Sequence, residues 1–240
     1  MSGHSKWKNI QHRKGAQDAH RGKVFTKIAT EITVAVRGSG PDPDANPRLR
    51  LALTKARQAN MPRDNIERAI KRGSGGADGV VFSEKTYEGY GPGGVAILVF
   101  CLTENVNRTV GEVRHAFTRF GGNLGADGSV GWKFKKQGLF IYDRTKITDH
   151  DQLLETALDA GALDVIEEED SYEVICRWED FPTVKTGLDK LGSEPGFAEV
   201  TMLPDNMTKI EPRQTETLQK LLDTLEDNDD VQNVYHNADL

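Results

Sequence analysis

Apolar residues recur at helical spacing as far as residue 73 and in short strand-like runs beyond it. From Val24 to Val36 they follow the period of an α-helix, and Gly38 supplies a stop signal. Asn46 followed by Pro47 is typical of an N-cap and a first helical position. These patterns predict helices over residues 5–14, 18–37 and 47–58, and a last helix that ends at Gly73. The first 73 residues are therefore expected to form a small all-helical module.

The chain after residue 73 alternates between strands and helices. GSGGADG at 73–79 has the composition of a flexible joint, and two strands flank a GPGG turn after it. The elements predicted next are strands over 85–90, 95–103 and 130–134, a helix over 107–120 and a glycine-rich turn, GGNLGADG. From residue 138 the order becomes strand, helix, strand, strand, helix, strand, which is the ferredoxin-like order. A helix over 213–227 and a strand VQNVYH close the chain.

This order of elements predicts an α+β fold. We expect an N-terminal helical domain followed by two ferredoxin-like α/β domains, the last inserted into the middle one, because the closing helix and strand would complete the sheet that begins near residue 85. The predicted domains are a basic helical domain over 1–76, a split α+β domain over 77–136 plus 205–240, and an inserted βαββαβ domain over 137–204.

Charge is distributed unevenly along the chain. Residues 1–73 hold sixteen Lys and Arg against six Asp and Glu, a net charge of +10, whereas residues 74–240 hold fifteen against 31 and carry −16. Such a split indicates an interaction surface. It favours a basic module that meets a polyanion and an acidic body that does not. The acidic runs Glu167–Asp170 and Glu226–Asp230 are interpreted as solvated faces or loops, or as charges that repel nucleic acid and so orient the basic end toward it.

Membrane and secreted proteins are disfavoured. No apolar run approaches the ~20 residues of a membrane helix, and the basic N-terminus lacks the apolar stretch of a secretory signal. Cys101 and Cys176 lie in apolar strand-like runs, so we expect buried, reduced thiols. We therefore predict a cytoplasmic protein without membrane contact, and a monomer.

The chain carries no motif that predicts catalysis. GYGPGG at 89–94 matches GxGxxG, but a strand follows it where a dinucleotide site needs a helix, so a tight hairpin turn is favoured. Walker A, HExxH and CxxC patterns are absent from the sequence. We therefore expect no enzyme activity, no cofactor and no metal. An enzyme built on the GYGPGG and GGNLG loops is the catalytic alternative.

The basic N-terminal segment is the strongest functional signal. Cationic side chains neutralise phosphates and release counterions, and Trp7 either stacks on an unpaired base or packs on Ile10. The candidate nucleic-acid-binding residues are His4, Lys6, Trp7, Lys8, His12, Arg13, Lys14, His20, Arg21, Lys23 and Lys27. Further basic residues, which either extend this surface or are simply solvated, are Arg48, Arg50, Lys55, Arg57, Arg63, Arg68, Lys71 and Arg72.

Five segments resemble the signature segments of the YebC family. They are GHSKWKNIQHRKGAQDAHRGKVFTKI, NMPRDNIERAIKRG, YEGYGPGGVAI, TENVNRT and GGNLGADGSVGWKF, in the same order and over nearly the full length. The resemblance implies a three-domain cytoplasmic protein that regulates gene expression without catalysis. Members of that family are described as DNA-binding transcriptional regulators. Others act in translation on the ribosome, where they help synthesis through stretches such as consecutive prolines.

The residues favour RNA over DNA as the partner. A reader of duplex DNA usually presents a recognition helix, often in a dimer, and neither a helix–turn–helix nor a zipper is evident. A glycine-punctuated segment rich in His, Lys, Arg and Trp is better suited to irregular RNA. We therefore expect a ribosome-associated translation factor that contacts ribosomal RNA and relieves stalling. By resemblance, residues 4–27 would approach the peptidyl-transferase region. A DNA-binding transcriptional regulator is the alternative.

Overall fold

A computed structural model of the protein describes residues 21–75 and 81–239. These residues form two compact units, one made of 21–75, 81–130 and 211–234, and the other made of 131–210 and 235–239. The helix predicted over 5–14 lies outside the described residues. Within the described ranges, no helix is both long enough and apolar enough to cross a membrane.

Helices and strands alternate after an all-helical start. The α-helices are α1 (Arg21–Ser39), α2 (Pro47–Gln58), α3 (Arg63–Gly73), α4 (Val106–Arg119), α5 (His150–Asp159), α6 (Phe181–Leu188) and α7 (Pro212–Glu226). The strands are β1 (Ser83–Tyr90), β2 (Ala96–Thr103), β3 (Asn123–Leu124), β4 (Phe134–Asp143), β5 (Asp164–Glu167), β6 (Ser171–Arg177), β7 (Phe197–Pro204), β8 (Thr208–Lys209), β9 (Val231–His236) and β10 (Ala238–Asp239).

The first three helices share one core. Ile32 of α1 and Leu49 and Ala52 of α2 are fully buried in it. α3 packs closely on α1 because Gly73 has no side chain: a Cβ atom there would lie 2.7 Å from the carbonyl oxygen of Thr33. The helices predicted over 18–37 and 47–58 and the helix ending at Gly73 are confirmed over the described residues.

Asn46 fixes the start of α2. Its side-chain oxygen accepts a hydrogen bond from the backbone N–H of Leu49 at 3.0 Å, which makes it the N-cap. Its amide group donates to the carbonyl oxygens of Ala35 and Gly40, each at 2.8 Å. The residue is buried, so these bonds satisfy polar atoms that water does not reach. The N-cap predicted from the sequence is confirmed, and the same side chain also joins α2 to the end of α1.

The first sheet has the strand order β3-β1-β2-β9. β1 and β2 form an antiparallel hairpin in which Ser83 pairs with Thr103 and Tyr90 with Ala96. Residues 91–95 make the turn, and Gly93 and Gly94 adopt positive φ angles of 73° and 75° that favour glycine. The hairpin predicted for GYGPGG is therefore confirmed.

The two glycine-rich segments of this sheet pack on each other. A Cβ atom on Gly89 would lie 2.6 Å from the carbonyl oxygen of Asn123, and one on Gly122 would lie 2.5 Å from that of Tyr90. These glycines therefore allow backbone to approach backbone. Asn123 and Leu124 form β3, which pairs with the end of β1. The prediction that GGNLGADG is a turn throughout was wrong at these two residues.

The second sheet has the order β5-β6-β4-β7, and all its neighbouring strands are antiparallel. One face buries Phe140 and Val174 against apolar residues of α5 and α6, such as Leu153 and Val184. The opposite face carries a second cluster that includes the fully buried Leu139. The element order predicted from residue 138 onward is confirmed.

The strand predicted over 130–134 was wrong. Gly131–Lys133 form a 3₁₀ turn, and β4 begins only at Phe134. β4 then continues to Asp143, so the strand expected to start at residue 138 is longer at its beginning. The short strands β8 and β10 pair in parallel, with Thr208 opposite Ala238. The α+β class, with N-terminal helices followed by antiparallel sheets, is confirmed, while the domain boundaries given above stay predictions.

Candidate nucleic-acid interface

Most of the predicted contact residues lie outside the described part of the chain. They are His4, Lys6, Trp7, Lys8, His12, Arg13, Lys14 and His20. Arg21 is the first residue of α1, and only its backbone is described. Lys23 and Lys27 are therefore the two candidates whose side chains can be placed.

Lys23 and Lys27 both bind the carboxyl end of α7. The Lys23 ammonium donates to the backbone carbonyl of Asp227 at 2.9 Å and pairs with its carboxylate at 2.9 Å. The Lys27 ammonium donates to the carbonyl of Glu226 at 2.6 Å. Carbonyls at the end of a helix lack intrahelical partners and carry its partial negative charge, so ammonium groups are favourable there. Burial lowers the pKa of Lys27, and the carboxylates of Glu226 and Asp229 partly oppose this.

Asp230 anchors the turn that follows α7, next to the carbonyls that these lysines bind. One carboxylate oxygen of Asp230 accepts hydrogen bonds from Thr103 at 3.1 Å, Arg108 at 2.8 Å and Thr109 at 2.7 Å. Both threonines are fully buried, and the Asp230 side chain is 13% exposed. The contacts join α1, the end of α7 and the start of α4 into one connected set.

This network gives the TENVNRT segment a structural role that the sequence did not reveal. Asn105 caps α4 by accepting from the backbone N–H of Arg108 at 3.1 Å. Arg108 and Asp230 are separated by 122 residues, so no local pattern predicted their contact. The acidic run Glu226–Asp230, interpreted from the sequence as a solvated face or loop, consists of the last residue of α7 and the turn after it, which includes this anchored carboxylate.

α2 presents a basic, solvent-exposed face. The helix contains four Lys or Arg and no acidic residue. Arg50 and Arg57 are seven residues apart and so share one stripe of the helix. Both are exposed, and neither forms an ion pair with another described residue. Leu51 beside them is 64% exposed.

Other basic side chains of the helical segment are engaged with acids. Lys55 pairs with Glu31 at 3.0 Å, Arg63 with Glu67 at 2.8 Å and Arg72 with Glu104 at 3.9 Å. These pairs are exposed and contribute little to stability. Lys71 on α3 is exposed and unpaired among the described residues. Arg48 pairs with Glu84 at 2.5 Å, and Arg68 donates to the Asn65 side chain and to the carbonyl of Asp64. Within the described range, the cations of α2 and α3 without such a contact are Arg50, Arg57 and Lys71.

The cysteines are structural. Cys101 and Cys176 are both buried free thiols, as predicted. Burial raises the pKa of Cys101 to about 12 and that of Cys176 to about 11. Both therefore stay neutral at physiological pH and are poor nucleophiles. Among the described residues, no group of three or more His, Cys, Asp or Glu side chains is placed to hold a metal ion.

Two exposed tryptophans on the second unit were not predicted as contact residues. Trp132 is 70% and Trp178 is 44% exposed. A lysine ammonium lies over each ring, with Lys133 at 4.8 Å from the centroid of Trp132 and Lys136 at 4.1 Å from that of Trp178. The sequence did contain a signal for these two residues, because each tryptophan has a basic residue next to it in the chain.

Basic helices followed by two antiparallel sheets place the chain in a defined class of α+β proteins, and comparisons with known proteins identify the family. Residues 5–76 match the family model described as the TACO1/YebC protein N-terminal domain, and residues 82–238 match that of the TACO1/YebC second and third domain. The chain belongs to the TACO1/YebC family.

Relatives are similar over their whole lengths. A protein of Syntrophotalea carbinolica is 56% identical over 240 residues, which are 100% of this chain and 96% of that protein. A protein of Idiomarina loihiensis is 55% identical over 241 residues, with the same coverage. Both carry the name "Probable transcriptional regulatory protein". A crystal structure of the conserved hypothetical protein Aq1575 from Aquifex aeolicus superposes with a TM-score of 0.78 at 45% identity, covering 92% of this chain and 91% of that one.

Proposed function

We propose that the protein is a non-enzymatic, nucleic-acid-binding regulator of gene expression that acts in translation. It binds the ribosome and contacts ribosomal RNA through its basic N-terminal segment, and so relieves stalling. The observation that carries this proposal is the charge map, +10 over residues 1–73 and −16 over the rest. Cationic side chains of an otherwise acidic protein are expected to face phosphates.

The described part of the helical segment refines the proposed contact surface. Lys23 and Lys27 have backbone carbonyls as partners, so we assign them to the attachment of α1 to α7. Arg50 and Arg57 are exposed and unpaired within the described residues. We therefore assign Arg50 and Arg57, in place of Lys23 and Lys27, to the surface that faces phosphate. The residues before Arg21 keep the role that the sequence predicts for them.

A salt titration tests which residues contact phosphate. Replacing Lys6, Lys8, Arg13 and Lys14 by Ala together, or Arg50 and Arg57 by Gln, should weaken RNA binding. Each lost phosphate contact should reduce the slope of log affinity against log salt by about 0.7 to 0.9. Arg213→Gln with Lys220→Gln is the matched control, because these two exposed residues are also seven apart on one helix, on the acidic part of the chain. An unchanged slope in the first two variants would contradict the assignment.

The second candidate function is DNA-binding transcriptional regulation, which the names of the relatives favour. Co-sedimentation with ribosomal particles at modest salt separates the two. The translation proposal predicts that the wild-type protein travels with the particles and that the quadruple alanine variant does not. A protein that never tracks with ribosomes but gives a sharp footprint on one promoter would establish the transcriptional alternative.

A further inference from the structure

Trp178 and Lys136 lie side by side on the second sheet, far from the basic helices in sequence. Gln137 of β4 pairs directly with Arg177, the last residue of β6, and their chain neighbours Lys136 and Trp178 come just beyond this pair, with Trp178 in the turn that follows β6. Within β6, the alternate residues Val174 and Cys176 are buried. Those side chains enter the core, whereas the Trp178 ring remains 44% exposed. Tryptophan is usually well buried, so this exposure requires an explanation.

A shallow cavity of about 280 Å³ adjoins this ring. Leu163, which is 51% exposed, supplies an apolar wall. Gln137 and Arg177 supply hydrogen-bonding groups, and Glu179 is the acidic residue of the lining. The volume lies just below the roughly 300–1,000 Å³ typical of sites for drug-sized ligands. It therefore suits one planar ring system better than a large ligand.

The charges around the cavity favour an anionic ligand with a flat, apolar part. Residues 131–138 contain three lysines and no acid, in the acidic part of the chain. The Lys136 ammonium lies over the Trp178 ring, 4.1 Å from its centroid, so a base stacks on that face only after this flexible side chain swings aside, where its ammonium can meet the phosphate of the stacked nucleotide. Lys135 is paired with Asp205 at 2.8 Å, so Lys136 and Arg177 provide the available positive charge at the cavity. The carboxylate of Glu179 accepts hydrogen bonds and suits an N–H group on the edge of a base, such as N3–H of uracil.

We propose that this cavity, the Trp178 site, binds an unpaired base of single-stranded RNA, with the base stacked on Trp178 and its phosphate against Lys136. An unpaired base is needed because a base inside a duplex does not offer its face to a side chain. The inference rests on the proposed function and adds to it a second contact point, on the second sheet. It gives the acidic part of the chain a direct role in recognition.

The test measures the affinity of the full-length protein for a fluorescein-labelled oligouridine and for a blunt-ended RNA duplex of two strands, which has no loop. Trp178→Ala should weaken binding of the oligouridine by about 5- to 150-fold, the equivalent of one lost base stack. It should leave binding of the duplex unchanged. Trp178→Phe should retain most of the affinity, because a smaller aromatic face remains. Leu158→Ala removes an equally exposed apolar side chain from α5 of the same unit and should change neither affinity.

The outcomes separate this inference from the proposed function. If the wild type binds RNA and both Trp178 variants match it, the Trp178 site is not an RNA site and the proposed function stands. Equal weakening for oligouridine and duplex would also overturn the inference, since stacking on an unpaired base predicts a difference. Normal RNA affinity of Trp178→Ala, combined with loss of a bound protein partner, would assign the surface to protein contact. Absence of RNA binding by the wild type would overturn both proposals.

Discussion

At the residue scale, Asp230 stabilises the fold through hydrogen bonds that its place in an acidic run does not predict. Three donors converge on one of its carboxylate oxygens, and two of them are hydroxyls of fully buried threonines. Hydrogen bonds to a charged group contribute more than neutral ones, and the neutral amide oxygen of an asparagine would accept these donors less strongly. Asp230→Asn should therefore lower the free energy of unfolding by about 1–3 kcal/mol, as measured by urea denaturation.

Asp229→Asn is the matched control for this prediction. It makes the same chemical change one residue away, at an exposed side chain. Its effect should stay within about 0.5 kcal/mol. Equal effects of the two substitutions would mean that the result reflects the removal of charge from the turn and not the hydrogen bonds of Asp230.

At the element scale, α1 and α7 are joined by two ammonium groups. Replacing Lys23 and Lys27 together by Met keeps most of the apolar length of each side chain and removes the donors. We expect a loss of about 1–2 kcal/mol in the free energy of unfolding, from the lost bonds and the lost interaction with the helix end. Amide hydrogen exchange should become faster in α1 and in the last turn of α7.

The same variant tests whether these lysines also contact phosphate. Since both ammonium groups bind carbonyls of the chain itself, the slope of log RNA affinity against log salt should not change. A slope reduced by about 1.4 or more would mean that both leave α7 to meet phosphate. Arg213→Met with Lys220→Met, on the exposed surface of α7, controls for the loss of two positive charges.

The elements that the sequence predicted well are those with strong local signals. α2 has an Asn-Pro start and a clear apolar stripe, and β9 was predicted at its observed bounds. β3 was missed because a two-residue strand has no periodicity, and its pairing depends on close approach at Gly89 and Gly122.

The sequence predicted the positive charge of the candidate site, but it did not predict which residues contact one another there. Counting Lys and Arg was enough to locate the basic segment. The partners of Lys27 and Arg108, by contrast, lie 199 and 122 residues away in the chain. The Trp178 site likewise depends on the register of β4 and β6, which no local pattern specifies.

At the scale of the whole molecule, the two ends of the second sheet lie close enough together for the predicted insertion to be tested by excision. Phe134 and Pro204, the first residue of β4 and the last of β7, are register partners. Just outside them, the backbone N–H of Asp205 donates to the carbonyl of Lys133 at 2.8 Å. A Gly-Gly link can therefore join residues 133 and 205 without moving either end. We expect the chain without 134–204 to retain the helical circular dichroism of α1 to α4 and α7, and an unfolded product would contradict the proposed insertion.

Excision also tests whether the acidic body steers the protein's encounter with nucleic acid. Residues 134–204 hold seven Lys and Arg and sixteen Asp and Glu, a net charge of −9, so the shortened chain carries +3 where the full chain carries −6. Its affinity for an RNA duplex, which offers no unpaired base to the Trp178 site, should therefore rise at low salt. The gain should fade at high salt, because the Debye length falls from about 30 Å at 0.01 M to about 3 Å at 1 M. Equal duplex affinities of the folded short chain and the full chain at every salt concentration would show that the acidic body neither repels nucleic acid nor orients the basic helices toward it.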